Sequence, residues 1–493
     1  MRGDVAIRGS RALTTWRGRV WLPLVLLMLM APEAGLAHLR LRASAPRDSA
    51  ELASVPREIR LSFTQPVQLA FTRIELLDPS GRPVELGPLA TLPDSAGVVV
   101  AEIRGTFVVP GAYTVSWQAA GPDGHPISGR FTFVVQPGAA GLATAEPESP
   151  APAEAEAPPA PASERRSIDA GSPIYAAIRW LTFAGLLGVV GATAFRLLVL
   201  GGVERERTAF GAALVESAGG RAAGLAMVMA VVLLVSALLR LYAQSSALGG
   251  AEAGRIGAIL TGTTWGVGWL LQTIGSLVAF AGALAVRRRP GLGWGLVAIA
   301  ALALAFSPAF SGHAAAAPRL PALAVLADAL HVLGAGGWLG TLLVLVVVGL
   351  PAALSLPSGE RGAAVAAVVN AFSPAALFFA GVAAATGTFA AWLHLGGASA
   401  LWGSAYGRTL LLKLAVLAVV FAAGAYHWLR VKPALGNEES ARRLRRSAAF
   451  EVAAAAIVLA VTAVLVATPP PAEGLDAAAA HHDHAAVAGP EGQ

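Results

Sequence analysis

The sequence predicts a two-part molecule: an exported all-β sandwich followed by an all-α polytopic bundle of about eight membrane-crossing helices. Three observations predict it. The chain opens with a basic stretch, a short apolar run and a small-residue site, the pattern of an export signal. Roughly the next hundred residues carry apolar positions with period two, the mark of half-buried strands. From Ile174 onward, apolar runs recur that are each long enough to cross a bilayer, which takes about 20 residues. Composition agrees with this division. Hydrophobic residues make up 55% of the 493 residues and charged residues only 13%, and the mean hydropathy is +0.63, too apolar for a soluble globular chain. The net charge of +6 and pI near 10.2 do not indicate a nucleic-acid partner, because the basic residues cluster in the leader and between apolar runs, where they act as topology signals. Cysteine is absent, which excludes disulfides, thiolate metal sites and a cysteine nucleophile. Beyond the leader the methionines are Met227 and Met229, which at a spacing of two on a helix point to different faces.

Residues 1–37 read as a signal peptide. Arg2, Arg8, Arg11, Arg17 and Arg19 precede the apolar run Val20 to Met30, and Gly35 and Ala37 supply the small residues a signal peptidase requires. Cleavage after Ala37 gives His38 a free α-amine beside its imidazole. Two nitrogens on one residue can chelate a single metal ion, and imidazole suits copper among other ions.

Residues 38–136 form the exported domain. Ile59, Leu61 and Phe63 alternate with polar neighbours, as do Ile74 and Leu76, then Tyr113, Val115 and Trp117, then Phe131, Phe133 and Val135. Turn signals separate these runs at Asp78-Pro79-Ser80-Gly81, Pro110-Gly111 and Gly121-Pro122-Asp123-Gly124. Short strands without helical period over this length predict a small sandwich of immunoglobulin-like or cupredoxin-like type. Residues 137–172, rich in Ala, Pro and Glu, read as an extended tether. The chemistry of the domain lies in Asp123-Gly124-His125, before the last strand. Alone, such a triplet is usually only a turn. Together with His38 it offers an α-amine, two imidazoles and a carboxylate, a donor set suited to a tetragonal Cu(II) ion.

The stretches His38-Leu39-Arg40-Leu41, Ser44-Ala45-Pro46, Val55 to Val67 and Asp123-Gly124-His125-Pro126 with Ser128-Gly129 resemble the periplasmic copper-binding protein CopC. The resemblance implies that His38, Asp123 and His125 bind Cu(II). Some relatives add a methionine-rich Cu(I) site. This domain has no methionine, so a Cu(II)-only member is expected.

The membrane half, residues 173–468, carries apolar runs at Ile174–Leu200, Ala223–Tyr242, Leu260–Val286, Leu292–Phe310, Leu323–Leu350, Ala371–His394, Thr409–Trp428 and Phe450–Ala467. With the sandwich outside, the loops assigned to the cytoplasm hold Arg205, Arg207, Arg221, Arg287, Arg288, Arg289, Arg361, Arg430, Lys432, Arg442, Arg443, Arg445 and Arg446, while the external loops hold Arg255, Arg319 and, at an edge, Arg408. That asymmetry predicts both mature termini outside a bacterial inner membrane. His313 then lies just outside the fourth run, and His394 at the outer end of the sixth. His331 lies about 12 Å into the fifth at 1.5 Å per residue. Asp328 shares its helical face, three residues earlier. Ionisable residues at membrane depth are functional candidates, so His313, Asp328, His331 and His394 are read as an ion path leading inward. Arg179, Arg240 and Lys413 are read as snorkelling from span ends, and His427 as an ordinary interfacial residue.

Gly312-His313-Ala314, Ala327-Asp328-Ala329-Leu330-His331 with Gly337-Trp338-Leu339-Gly340, and Tyr406 to Lys413 are similar to the inner-membrane protein CopD, as are Arg442 to Arg446 with Glu451 and Pro469-Pro470. Fused CopC–CopD chains occur in bacteria and are associated with copper uptake and resistance. In the external tail, residues 469–493, His481, His482 and His484 flank Asp483 as an accessory metal cluster. The expected function is capture of Cu(II) outside the membrane followed by import, with copper, the lipid bilayer and other periplasmic copper carriers as partners. The alternatives are membrane-anchored copper sequestration or sensing without transport, and oxidative catalysis of the kind done by polysaccharide-cleaving enzymes with an N-terminal histidine. Asp123 would fill the in-plane position that oxygen needs, so an enzyme is not expected.

Overall fold

The computed structural model describes residues 39–93, 95–105, 109–140, 172–248, 253–312, 314–315, 321–395, 397–426, 429 and 438–468. The leader and most of the tether lie outside these residues.

Among the described residues nine strands build the N-terminal domain: β1 Leu41–Ala45, β2 Ala50–Ser54, β3 Glu58–Phe63, β4 Arg73–Leu77, β5 Pro83–Val84, β6 Leu86–Leu92, β7 Ser95–Ile103, β8 Gly111–Ala120 and β9 Pro126–Ala140. They form two sheets, ordered β1-β3-β7-β6 and β2-β9-β8-β4-β5. The period-two residues face one another across the gap. Ile59, Leu61, Val99, Val115 and Phe133 are fully buried there, each contributing about 1.5–3 kcal/mol of transfer free energy. Tyr113 stacks on Phe133, and its hydroxyl donates to Val109 O at 2.8 Å. β9 runs on past Gln136 to Ala140, because β2 pairs with it in parallel through Ser54↔Ala140.

Among the described residues eight helices are long and apolar enough to cross a membrane: α1 Pro173–Glu206, α2 Gly211–Ala247, α3 Thr264–Ala285, α4 Pro290–Ser311, α5 Pro321–Leu354, α6 Ser358–Leu395, α7 Ala405–Tyr426 and α8, whose apolar part is Ala448–Leu465. They coincide with the eight apolar runs of the sequence. Ser172 starts α1 by accepting a hydrogen bond from Tyr175 N–H, with Pro173 in the first turn. Leu186, Leu200, Leu214, Leu233, Val297 and Leu304 join the helices in one large core. Val228, Val231, Val235 and Leu238 of α2 stay exposed, as a lipid-facing surface requires. At 37 residues α2 is about 55 Å long, well beyond the roughly 30 Å of bilayer hydrocarbon. Its C-terminal end, at Gln244 and Ala247, meets the sandwich.

Close helix contact rests on glycine. A Cβ on Gly191 of α1 would run into the backbone of Gly340 in α5, and a Cβ on Gly340 would strike Leu187 O. Small residues at such crossings let backbones approach. Both helices widen to π-helical turns in this region, at Phe195–Leu200 in α1 and at Gly336–Gly340 and Leu345–Gly349 in α5. Gly191→Ala should destabilise the purified protein by about 1–3 kcal/mol, the usual cost of overpacking, seen as a lower unfolding temperature in detergent. Gly220→Ala, where nothing lies within 4 Å of the added carbon, should not.

Candidate metal centre and its seat on the bundle

β8 and β9 converge on the loop 121–125, with Ala120 paired to Pro126 at its base. Gly124 closes the turn at φ +75, its N–H donating to Gly121 O at 3.0 Å. This left-handed conformation favours glycine. Asp123 is 5% exposed, and its Oδ1 accepts from His125 N–H at 3.2 Å. Its Oδ2 stands 3.4 Å from His125 Nδ1. The carboxylate and the imidazole thus face each other at a separation that adjacent ligands of one ion can hold with little movement. The described chain begins with Leu39, which is buried on this side of the sandwich. A Cβ on Gly121 would lie 3.1 Å from Asp123 Oδ1 and 3.5 Å from Leu39 Cβ, so Leu39 lies beside the loop. His38 itself lies outside the described residues. Among the described residues no three His, Asp or Glu side chains cluster as a metal site.

The loop is fastened to the membrane half. Gln244 Nε2 of α2 donates to Gly124 O at 2.7 Å, and Thr264 N–H at the start of α3 donates to Pro122 O at 3.1 Å. Gln118 Nε2 donates to Ala247 O and Gln68 Nε2 to Gly262 O, at 3.0 and 3.3 Å. Phe71 and Ala120 of the sandwich share an apolar cluster with Leu248, Ile259 and Trp265. Beneath His125 this contact encloses a cavity of about 150 Å³ that reaches Tyr175 and Thr182 of α1, Arg240 of α2, Trp265 of α3 and Ser311 of α4. These docking residues carry no sequence signal, since a glutamine or threonine near a span end reads the same whether it meets water or a domain.

The intramembrane candidates lie elsewhere. His331 of α5 shares Nδ1 between Ala383 O at 3.0 Å and Thr386 Oγ1 at 3.1 Å, both on α6. His394 ends the same α6, its ring 6.2 Å from that of Tyr406. Eight residues, or about 12 Å of helix, separate Thr386 from His394, so the two histidines follow one helix without touching. Asp328 of α5 and Lys413 of α7 are near enough for their charges to act on one another, as Lys413 does on His331, but no contact at ion-pair distance joins Asp328 and Lys413. Asp328, His331 and His394 are not among the described residues lining the cavity under His125. His313 and the tail residues His481, His482 and His484 lie outside the described residues, as does His427.

One of the three span-end cations behaves differently from the snorkelling expectation. Arg240 is buried, donating to Gln272 Oε1 with its guanidinium 5.5 Å from the Trp265 ring centre. Its stem cannot reach outward because the sandwich covers the end of α2.

Residues 41–136 match the CopC domain family, residues 168–320 the N-terminal domain of copper resistance protein D-like proteins, and residues 366–465 copper resistance protein D. Copper transport protein CutJ of Bacillus subtilis strain 168 is 26% identical over 429 residues, covering 84% of this chain and 72% of the relative. Protein YobA of Escherichia coli K12 is 26% identical over 100 residues, covering 20% of this chain and 80% of its own. Among solved structures, CopC from Methylosinus trichosporium OB3b is 26% identical, covering 20% of this chain and 95% of that one, with a TM-score of 0.19. PcoC, a methionine-rich copper resistance protein from Escherichia coli, is 29% identical over 20% of this chain and 99% of its own, with a TM-score of 0.18. The chain thus carries a CopC domain and copper resistance protein D domains on one polypeptide.

Proposed function

We propose that this protein captures Cu(II) outside the cytoplasmic membrane and delivers it into the bundle for import. The observation that carries the reading is the seat of the Asp123–His125 loop: the same imidazole that faces the buried carboxylate also lines a cavity between α1, α2, α3 and α4. Copper is the cargo. The α-amine and imidazole of His38, the carboxylate of Asp123 and the imidazole of His125 would supply nitrogen and oxygen donors of the kind that suits Cu(II). Because the sandwich is tied to the bundle through the chain itself, handoff is an intramolecular step at high effective concentration. Asp328, His331 and His394 form the deeper station, with Lys413 beside the first two, and the tail histidines 481, 482 and 484 gather metal outside.

The separation of that deeper station from the cavity under His125 favours a second reading, in which the sandwich holds copper and the bundle serves only as an anchor. Copper accumulation under limiting copper separates the two in cells expressing wild type, Asp123→Ala or His331→Ala. Import predicts a fall of about tenfold or more in both variants, the effect of losing a metal-site residue. Wild-type accumulation in His331→Ala, with only periplasmic copper lowered in Asp123→Ala, would leave a membrane-tethered store.

A further inference from the structure

The imidazole of His331 rests in a cradle built by little more than one turn of α6. Its Nδ1 lies 3.0 Å from Ala383 O and 3.1 Å from Thr386 Oγ1. A carbonyl oxygen can only accept, so Nδ1 carries hydrogen in this geometry. The Thr386 hydroxyl agrees, because its own hydrogen is spent within the helix. Oγ1 donates to Val382 O at 2.7 Å, with Ala383 O at 3.3 Å as a second acceptor, and is left to accept from the ring. A neutral imidazole with its hydrogen on Nδ1 has its lone pair on Nε2. Gly387, next along α6, gives the ring its room: a Cβ there would lie 3.0 Å from His331 Cε1. The cradle is stiff, since α5 and α6 meet backbone to backbone beside it. A Cβ on Gly334 would lie 2.8 Å from Ala383 N and 3.0 Å from Phe379 O, and one on Gly337 would enter the Phe379 ring.

We propose that Thr386 and Gly387 are positioning residues for His331: with Ala383 O they hold its ring in the Nδ1–H form, so that Nε2 is the nitrogen offered to a metal cation. Copper as that cation rests on the import reading; the tautomer does not. A metal-binding histidine is served by this arrangement, because one nitrogen must be bare to bind while a hydrogen bond from the other fixes the ring. An unanchored neutral imidazole divides itself between two tautomers and several orientations, and only some of these aim a lone pair at the ion. Asp328, three residues earlier on α5, puts a carboxylate on the same helical face. Thr386 and Gly387 are not ligands; both act through the ring.

Metal-free full-length protein, with histidine isotope-labelled at both ring nitrogens, is read by NMR in lipid nanodiscs. A mildly alkaline pH keeps ordinary histidines neutral, and the His331 signal is the one missing from His331→Gln. It should show the hydrogen on Nδ1. Thr386→Val keeps the shape of the side chain but offers the ring no acceptor. It should weaken the Nδ1–H preference and lower copper accumulation under limiting copper about tenfold, the smaller of the losses that follow removal of a ligand's hydrogen-bond partner. Thr386→Ser, which keeps the hydroxyl, should restore both readings, and Gly387→Ala should lower accumulation by displacing the ring. Hydrogen on Nε2 in the wild type overturns the proposal, as does a Thr386→Val protein whose His331 signal and copper accumulation both match wild type. Neither result touches the import reading, whose own test, His331→Ala, does not depend on which nitrogen carries the hydrogen. Wild-type accumulation in His331→Ala would end the import reading instead, while an Nδ1–H signal recorded without copper would still support the positioning of the ring.

Discussion

Asp123→Ala should weaken Cu(II) binding by the full-length protein about 100-fold or more, measured by competition with a chelator of known affinity. Substituting groups that merely orient ligands lowers metal affinity about 10- to 100-fold, and Asp123 is placed to do both jobs. Its Oδ2 faces His125 Nδ1, while its Oδ1 accepts from His125 N–H and so fixes the loop that carries the imidazole. Asp123→Asn separates these roles. The amide oxygen keeps the backbone hydrogen bond but brings no negative charge, so the loop should stay ordered while copper binding still falls by at least about tenfold. The strands should be unaffected in both variants, because the core around Ile59, Leu61 and Phe133 lies away from the loop. Affinities within threefold of wild type for Asp123→Ala would remove this carboxylate from the ligand set.

The architecture was largely legible because its signals are local. Ile59, Leu61 and Phe63 announce a strand with one buried face, and eight apolar runs of bilayer length announce eight helices. The Asp-Gly-His turn was visible for the same reason, since three adjacent residues contain both the donors and the positive-φ glycine that positions them. Hidden from the sequence was everything that depends on distant partners. The parallel pairing of β2 with β9 joins residues more than 80 positions apart and leaves no periodicity. The seat of the sandwich depends on Gln244 and Thr264 meeting two carbonyls of one loop. Arg240 could have snorkelled on an isolated helix. Gln272 on a neighbouring helix, and a domain covering the end of α2, keep it inside.

Lys413 poses the same question, and its answer has a large energetic consequence. Asp328 lies about 10 Å along α5 from its start and Lys413 about 12 Å along α7, so the two stand at matching depth on helices that run the same way through the bundle. Their charges are near enough to act on one another, without a contact at ion-pair distance. If the pair is a true intramembrane ion pair, Lys413→Met should destabilise the protein by about 3–5 kcal/mol, because it abandons a charge among packed helices. Asp328→Asn should do the same from the other side. The double variant Asp328→Asn/Lys413→Met should recover most of the loss, since two neutral side chains bury more easily than one unpaired ion. Denaturant unfolding in detergent or nanodiscs reads all four corners of this cycle, and neighbours in one charge network should couple by roughly 1–3 kcal/mol. A lysine that reached the interface alone would behave otherwise, with single losses within about 1 kcal/mol and no coupling. That outcome would also detach Lys413 from His331 and leave the deeper station with one carboxylate and two histidines. A large coupling would instead mean that any cation approaching His331 must displace or bypass a resident positive charge.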